Sequence, residues 1–351
     1  MSNPFTLSFG KEPTEFISRL SQTNEIIEDF NSKDPVSQVY MITGVRGSGK
    51  TVMLTKIKKM ISEYNDWIVI ELSPIKEMLN TLVAKLYAEP ELHKLFIKAK
   101  LDLSKFGLGV SIENEPPVYD VETALSKMLS ELKKKGKKLL IAVDETVVNN
   151  YVREFTSVFQ ILMRDEYPVF LVMTGLFENI HDLQNQDGLT FLFRAPKVVM
   201  APLSIGAISK TYDRVFNCGT ERTKELAELT KGYPYAFQVL GYLYWNQKDN
   251  PDMEEVVQQY DQYLEEYVYS KIWSELSTKD KSIVGGIVEE LDENDSGLVK
   301  NSSLRERLGL SSGEFSVYRE RLVRKGILDT SNYGYISFKL PRFKEIVKYW
   351  I

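Results

Sequence analysis

The sequence has 351 residues, and its 43% hydrophobic and 26% charged residues are typical of a globular protein with two or three domains. The single cysteine excludes an intramolecular disulfide framework, and the presence of only two histidines argues against a histidine-based metal site or catalytic triad. The sequence contains no run of about 18 apolar residues, the length that is needed to span a membrane. The net charge of −5 argues against a globally basic nucleic-acid-binding protein but leaves room for a local basic surface.

The chain begins without the basic start and apolar segment of a signal peptide, so we expect a cytoplasmic protein. Residues 23–30 predict a short helix that ends before Asp34-Pro35. Residues 39–43 are apolar and β-rich, which predicts a buried strand, and the apolar spacing over residues 52–61 predicts a helix.

The connection between this strand and helix, G-V-R-G-S-G-K-T, fits the phosphate-binding pattern G-x-x-x-x-G-K-[ST]. Its glycines allow successive N–H groups to point at phosphate oxygens, and the helix that follows adds its positive dipole end. Lys50 is expected to reach the β- and γ-phosphates, and the Thr51 hydroxyl to ligate Mg²⁺. We predict a nucleoside triphosphate site made of Gly44, Val45, Arg46, Gly47, Ser48, Gly49, Lys50, Thr51 and Val52.

The next segments continue the alternation of strands and helices. Residues 67–72 predict a strand and residues 76–87 a helix, whereas residues 88–118 are irregular and are interpreted as an insertion. Within it, residues 107–112 are a candidate edge strand, and Pro116-Pro117 ends the segment. Residues 121–135 predict a helix whose lysine-rich end is either a solvated helix terminus or a nucleic-acid patch.

A near-continuous apolar run over residues 139–143 is followed by Asp144 and Glu145. Such a run is typical of a parallel sheet buried on both faces, whose ligands lie beyond the carboxyl ends of the strands. We predict that Asp144 holds the Mg²⁺ shell and that Glu145 orients and deprotonates the attacking water. The alternative is that the two carboxylates cap the next helix.

Residues 152–163 predict that helix, and residues 169–175 predict another buried strand that ends near Thr174. We predict that the Thr174 hydroxyl hydrogen-bonds the γ-phosphate or the attacking water; a purely structural threonine is the alternative. Residues 198–200 predict the last strand. The alternation predicts an α/β fold, a three-layer P-loop NTPase domain with a parallel sheet, over residues 1–203.

From residue 204 the pattern is helical. Helices are predicted over residues 208–216, 223–230, 235–245 and 251–269, which indicates an all-helical lid over residues 204–269. Its many aromatic residues would suit base stacking, but their helical spacing favours a packed core.

The last 82 residues, 270–351, predict a winged helix-turn-helix. Helices are predicted over residues 273–291, 301–308 and 312–325, followed by a hairpin of residues 327–329 and 335–338. Residues 297–351 contain 11 Lys and Arg against 5 Asp and Glu, so duplex DNA is a candidate partner, with a protein contact as the alternative. The basic residues on or beside the third helix are Arg319, Arg321, Arg324 and Lys325.

Together these segments resemble the AAA+/STAND group of bacterial and archaeal P-loop ATPases, which have a helical lid and a winged helix and are related to origin-recognition ATPases. The resemblance rests on T-G-V-R-G-S-G-K-T, A-V-D-E-T, T-K-G-Y-P-Y-A-F-Q-V-L-G, K-G-I-L-D and G-Y-I-S-F-K-L-P-R-F. It implies ATP or ADP with Mg²⁺ as ligands, and it gives Thr174 the sensor-1 position. Gly232-Tyr233-Pro234 is similar to the G-x-P motif of the lid, which implies that Tyr233 and Pro234 lie near the adenine. Arg194 is the best candidate for an arginine finger.

These features predict a slow ATPase that acts as a molecular switch and couples nucleotide state to the position of the winged helix. Self-association that depends on the nucleotide is a further candidate property. The alternative is a signalling or defence scaffold in which ATP is mainly structural and the winged helix contacts protein. A phosphoryl transferase is disfavoured because no acceptor-binding segment is recognisable.

Overall fold

A computed structural model describes residues 2–7, 14–17, 19–100, 102–108, 118–294 and 296–351. The described residues of 19–43 and 50–199 form one compact unit, here called the sheet unit. Those of 1–18, 44–49 and 200–351 form the other, here called the helical unit. The predicted domain boundaries after residues 203 and 269 remain predictions.

The sheet unit is built on five parallel strands in the order β2-β3-β4-β1-β5. Residues in β1 and β4 are buried throughout, as expected for central strands with both faces covered. The short β5 lies at the edge and is largely exposed. The strands are β1 Val39–Thr43, β2 Trp67–Leu72, β3 Lys138–Val143, β4 Val169–Gly175 and β5 Lys197–Val199.

Helices cover both faces of this sheet, which confirms the predicted three-layer α/β architecture. Leu139 and Ile141 of β3 belong to a core that they form with five helices between residues 78 and 184, α3 to α7. On the opposite face, Phe170 of β4 contacts Phe30 of helix α1 and Trp67 of β2, each with ring centroids 4.9 Å apart. The helices are α1 Leu20–Asn31, α2 Lys50–Ser62, α3 Met78–Ala88, α4 Pro90–Lys98, α5 Val121–Lys134, α6 Asn150–Arg164 and α7 Phe177–Gln184.

The segment predicted to be an irregular insertion contains helix α4, which the sequence analysis missed. Pro90 stands in its first turn, where a missing N–H costs nothing, and Leu92 and Phe96 bury one face of the helix. Of the candidate edge strand, Gly107 and Leu108 are not in a strand, and residues 109–112 lie outside the described residues, as does Pro116-Pro117.

The helical unit contains two groups of elements in sequence. The first comprises helices α8 Ile205–Phe216, α9 Thr220–Leu229, α10 Pro234–Asn246 and α11 Met253–Leu264, a π-helical turn Glu265–Tyr269, and helix α12 Ser270–Ser274. The second comprises α13 Thr278–Glu293, β6 Val299–Lys300, α14 Asn301–Arg307, α15 Ser312–Arg324, β7 Leu328–Asp329, β8 Tyr335–Phe338 and α16 Phe343–Val347. The three strands are antiparallel, in the order β6-β8-β7.

The prediction of one helix over residues 273–291 is wrong, because α12 ends at Ser274 and α13 begins at Thr278. Ser277 accepts a hydrogen bond from the Asp280 N–H, and the Asp280 carboxylate accepts one from the Ser277 N–H. This capping box satisfies backbone donors at the start of α13 and so favours a new helix there.

Most aromatic residues of the first group lie in the core or pack against it, as their helical spacing indicated, whereas Tyr267 is 58% exposed. Three of them are buried tyrosines whose hydroxyls donate to backbone carbonyls elsewhere in the unit. Tyr212 donates to Phe237 at 2.7 Å, Tyr260 to Leu229 at 3.2 Å and Tyr269 to Pro341 at 2.6 Å. Burial raises the pKa of all three hydroxyls well above the ordinary value.

Among the described residues, every helix is either too short or too polar to cross a membrane.

Candidate functional site

The carboxylate of Asp144, directly after β3, lies at the centre of a group of hydrogen bonds. The hydroxyl of Thr51, the second residue of α2, donates to Asp144 Oδ2 at 2.8 Å. The hydroxyl of Thr174, near the end of β4, donates to Asp144 Oδ1. The parallel pairing of β3 with β4 brings their carboxyl ends to one edge of the sheet, where α2 begins.

Glu145 adjoins this group. Its backbone N–H donates to Asp144 Oδ1 at 3.0 Å and to Thr174 Oγ1 at 3.2 Å. Its φ is 52°, a left-handed conformation that non-glycine residues rarely adopt. Its side chain is exposed, whereas Thr174 is fully buried, so a water molecule can reach the Glu145 carboxylate.

The Thr51 hydroxyl and the Asp144 carboxylate are oxygen ligands of the type that Mg²⁺ prefers. In the described part of the chain, no group of three or more His, Cys, Asp or Glu residues could hold a metal ion. A magnesium ion here would therefore need phosphate oxygens and water to complete its coordination, as is usual for Mg²⁺ bound with a nucleotide.

The glycine-rich loop, residues 44–49, belongs to the helical unit, and α2 begins at the next residue, Lys50. Gly47 and Gly49 have φ values of 72° and 89°, so the backbone conformation itself requires glycine. Within the loop, the Ser48 hydroxyl is buried and has no hydrogen-bond partner among the described residues. An unpaired buried hydroxyl at this position fits a polar ligand such as phosphate.

Tyr233 contacts this loop. Its hydroxyl donates to the Arg46 carbonyl at 2.5 Å, and the N–H of Tyr235 donates to the Gly47 carbonyl at 3.2 Å. These contacts could not be predicted from the sequence. Pro234 is the first residue of α10, after Gly232 with its φ of 73°. A position of Tyr233 and Pro234 near adenine remains a prediction.

Arg194 ends a 3₁₀ turn, Thr190–Arg194, and its side chain is exposed. Its role as an arginine finger remains a prediction.

Two basic residues of α15, Arg321 and Arg324, are paired with carboxylates and are less available than the sequence suggested. Arg321 donates to Asp280 of α13, with Nη2 and Oδ1 2.6 Å apart, and the Asp280 side chain is 2% exposed. Arg324 pairs with Glu320 on its own helix. Over residues 261–351, 14 Lys and Arg stand against 15 Asp and Glu, so acidic residues from α11 to α13 offset the basic count.

Several solved structures share the fold of this chain. The chain is similar in structure to the Walker-type ATPase PABY2304 of Pyrococcus abyssi, with 16% identity, 95% of this chain and 96% of that chain covered, and a TM-score of 0.62. It is also similar to the Aeropyrum pernix ORC2 protein in its ADPNP–ADP complexes, with 12% identity, coverage of 97% and 96%, and a TM-score of 0.60. For Cdc6p from Pyrobaculum aerophilum the identity is 14%, the coverage 97% and 96%, and the TM-score 0.50.

The chain has the P-loop fold of these proteins, which confirms at the level of the fold the resemblance seen in the sequence. More particularly, residues 16–146 match the KAP family P-loop domain. Residues 266–347 match a domain of unknown function, DUF8462. No curated protein matches the chain.

Proposed function

We propose that the protein is an ATP-binding and hydrolysing molecular switch that couples nucleotide state to its C-terminal elements. The observation that carries this proposal is the hydrogen-bonded group of Thr51, Asp144 and Thr174, with the exposed carboxylate of Glu145 beside it. This group places Thr51 and Asp144, the proposed Mg²⁺ ligands, next to Glu145, the candidate base. A protein that only bound a nucleotide would not require such a base. The structure of one structural relative, the A. pernix ORC2 protein, is of its ADPNP–ADP complexes.

In this proposal the N–H groups of residues 44–49 and the ammonium group of Lys50 bind the phosphates. Mg²⁺, when bound, would be held by Thr51 and Asp144 and would neutralise charge on the phosphate oxygens. Glu145 orients a water molecule toward the γ-phosphorus and accepts its proton, and ADP and inorganic phosphate are released. Thr174 keeps the Asp144 carboxylate and the Glu145 backbone in place.

The C-terminal elements are interpreted as a winged helix. The order α13, β6, α14, α15, β7, β8 places two short helices before a hairpin. We propose that this part contacts a macromolecular partner and changes position with nucleotide state.

A second candidate function is a scaffold in which ATP is mainly structural and the winged helix contacts protein. One observation favours it: Arg321 and Arg324 of α15 are paired with carboxylates, which reduces the attraction of this surface for a phosphate backbone.

The first proposal is tested with Lys50→Ala and Glu145→Gln, using a fluorescent ATP analogue for binding and phosphate release for hydrolysis. Lys50→Ala should lose binding, whereas Glu145→Gln should bind ATP normally and hydrolyse it at least about 100-fold more slowly. Glu154→Gln, at an exposed position of α6, is the matched control and should behave as the unaltered chain. Unchanged hydrolysis by Glu145→Gln would contradict the assignment of the base, and absence of ATP binding by the unaltered chain would contradict the proposed function.

A further inference from the structure

The backbone of the glycine-rich loop is held by residues at the start of α10. The Tyr233 hydroxyl donates to the Arg46 carbonyl, and the Tyr235 N–H donates to the Gly47 carbonyl. These residues and the loop belong to the same compact unit. Two consecutive loop carbonyls are thus fixed by partners from about 187 residues further along the chain.

The direction of these carbonyls determines the direction of the neighbouring N–H groups. In a planar trans peptide, the C=O of one residue and the N–H of the next point to opposite sides. When Tyr233 holds the Arg46 carbonyl outward, the Gly47 N–H is turned inward. An inward N–H is what a phosphate-binding loop needs.

The environment of Tyr233 makes its hydroxyl a reliable donor. The residue is 5% exposed, so water competes little for the hydrogen bond. Burial raises the pKa of Tyr233 far above physiological pH, so the hydroxyl keeps its proton.

Gly47 and Tyr233 fit each other closely. A methyl group at Gly47 would lie 2.3 Å from the Tyr233 hydroxyl oxygen and 2.9 Å from the carbon that bears it. Glycine is therefore required here by the position of the tyrosine as well as by its own φ of 72°.

The loop side chains are also engaged. A methyl group at Gly326, between α15 and β7, would lie 1.7 Å from Val45 Cγ1, so Val45 packs directly on that glycine. The Arg46 guanidinium lies 3.7 Å from the Glu275 carboxylate. Residues after α10 thus add to the support that α10 gives.

We propose that Tyr233 is a positioning residue for the polyphosphate group: its hydroxyl holds the loop in the phosphate-binding conformation before the ligand arrives and does not recognise the base. This inference rests on the proposed nucleotide binding and names the part of the nucleotide that Tyr233 serves.

The test compares Tyr233→Phe with the unaltered full-length chain by calorimetric titration with ATP, GTP and inorganic triphosphate. Loss of the hydroxyl should weaken all three ligands by the same factor, about tenfold, and leave the ratio of ATP to GTP affinity unchanged. Tyr235→Phe is the matched control, because Tyr235 contacts the loop through its backbone N–H, and its affinities should stay within about twofold.

Several outcomes would overturn the inference. Weaker binding of ATP with unchanged binding of triphosphate would show that Tyr233 contacts the base, and unchanged binding of every ligand would show that it positions nothing. If the unaltered chain bound triphosphate and ATP while Tyr233→Phe did so equally well, the nucleotide site would stand and only this role would fall. Failure of the unaltered chain to bind either ligand would refute the proposed function and this inference with it.

Hydrogen–deuterium exchange gives an independent measurement should Tyr233→Phe not fold. In the unaltered chain, the Tyr235 N–H, which donates to the Gly47 carbonyl, should exchange slowly both before and after triphosphate is added. Fast exchange of this N–H before addition and strong protection afterwards would mean that the ligand organises the loop, contrary to the inference.

Discussion

Glu145 has an unusual backbone conformation at the position where a base is expected. A left-handed φ in a non-glycine residue costs on the order of 1 kcal/mol, and here the same conformation accompanies hydrogen bonds from its N–H to Asp144 and Thr174. The carboxylate of Glu145 stays in solvent while that of Asp144 is held by two hydroxyls. Two adjacent acids of the same chemical type are therefore placed in different environments, which suits different roles.

Thr174 connects these two acids, and its substitution is the first prediction. Thr174→Val keeps the size of the side chain but removes the hydroxyl that donates to Asp144 and accepts from the Glu145 N–H. We expect ATP affinity to change by less than about threefold and the hydrolysis rate to fall by about 10- to 100-fold, as for other residues that orient metal ligands. Thr174→Ser, which keeps the hydroxyl, should retain most of the rate; equal losses in both variants would show that packing, not the hydroxyl, matters.

At the residue scale, much of the site could be predicted from the sequence. The phosphate-loop pattern has a fixed spacing and requires a strand before it and a helix after it, so it points directly to Lys50 and Thr51 as candidate site residues. An apolar strand that is followed by acidic residues points to Asp144. The contact of Tyr233 with Arg46 could not be predicted, because it joins residues 187 positions apart and depends on how α10 packs. No local pattern carries that information.

At the scale of elements, strands were predicted better than helices. The bounds of β1, β2 and β4 agree with the prediction, since each is a short apolar run between polar or turn residues. Helix α4 was missed because only Leu92 and Phe96 are buried in it, too few for a clear helical period. The break between α12 and α13 was missed because apolar spacing continues across it, while the local capping signal at Ser277 ends one helix and starts another.

The contact between α13 and α15 gives a second prediction. Arg321 pairs with Asp280, whose side chain is 2% exposed, so removal of the arginine would leave a buried carboxylate without its cation. We expect Arg321→Ala to lower the free energy of unfolding by about 3 kcal/mol, measured by urea denaturation. Arg324→Ala is the control, because its partner Glu320 is exposed on the same helix, and it should cost less than about 0.5 kcal/mol. Similar small losses in both variants would contradict a structural role for Arg321.

At the scale of the whole molecule, charge gives a third prediction. Residues 261–351 are almost neutral overall, and Arg321 and Arg324 are paired with carboxylates, which weakens the attraction of this part of the chain for a DNA duplex. We expect duplex DNA to bind weakly, with little change in affinity between low and high salt, measured by fluorescence anisotropy with and without ATP. A steep fall of affinity with salt would instead favour a DNA partner and a rearranged C-terminal part.

The buried tyrosines give a fourth prediction, which concerns stability at high pH. Burial raises the pKa values of Tyr212, Tyr260 and Tyr269 in the folded chain, and that of Tyr235 to about 12, whereas in the unfolded chain they ionise near pH 10. Their contribution to stability is therefore complete below about pH 10 and is lost as pH rises toward the folded pKa values. Urea denaturation followed by circular dichroism should show constant stability up to about pH 9 and a steep fall above it.

Tyr212→Phe provides the control for this prediction, because it removes one of the ionisable hydroxyls and should make the fall less steep. Stability that does not change between about pH 9 and pH 11 would contradict it.

Because residues at the start of α10 hold the glycine-rich loop, the loop would lose its support in a fragment that contains only the N-terminal part of the chain. A fragment that stops before residue 200 would keep every residue of both ATPase sequence motifs and would still lack the tyrosines that hold the Arg46 and Gly47 carbonyls. Sequence motifs alone would mark such a fragment as a complete catalytic module. By the backbone contacts of the glycine-rich loop, the proposed nucleotide-binding unit must include the start of α10.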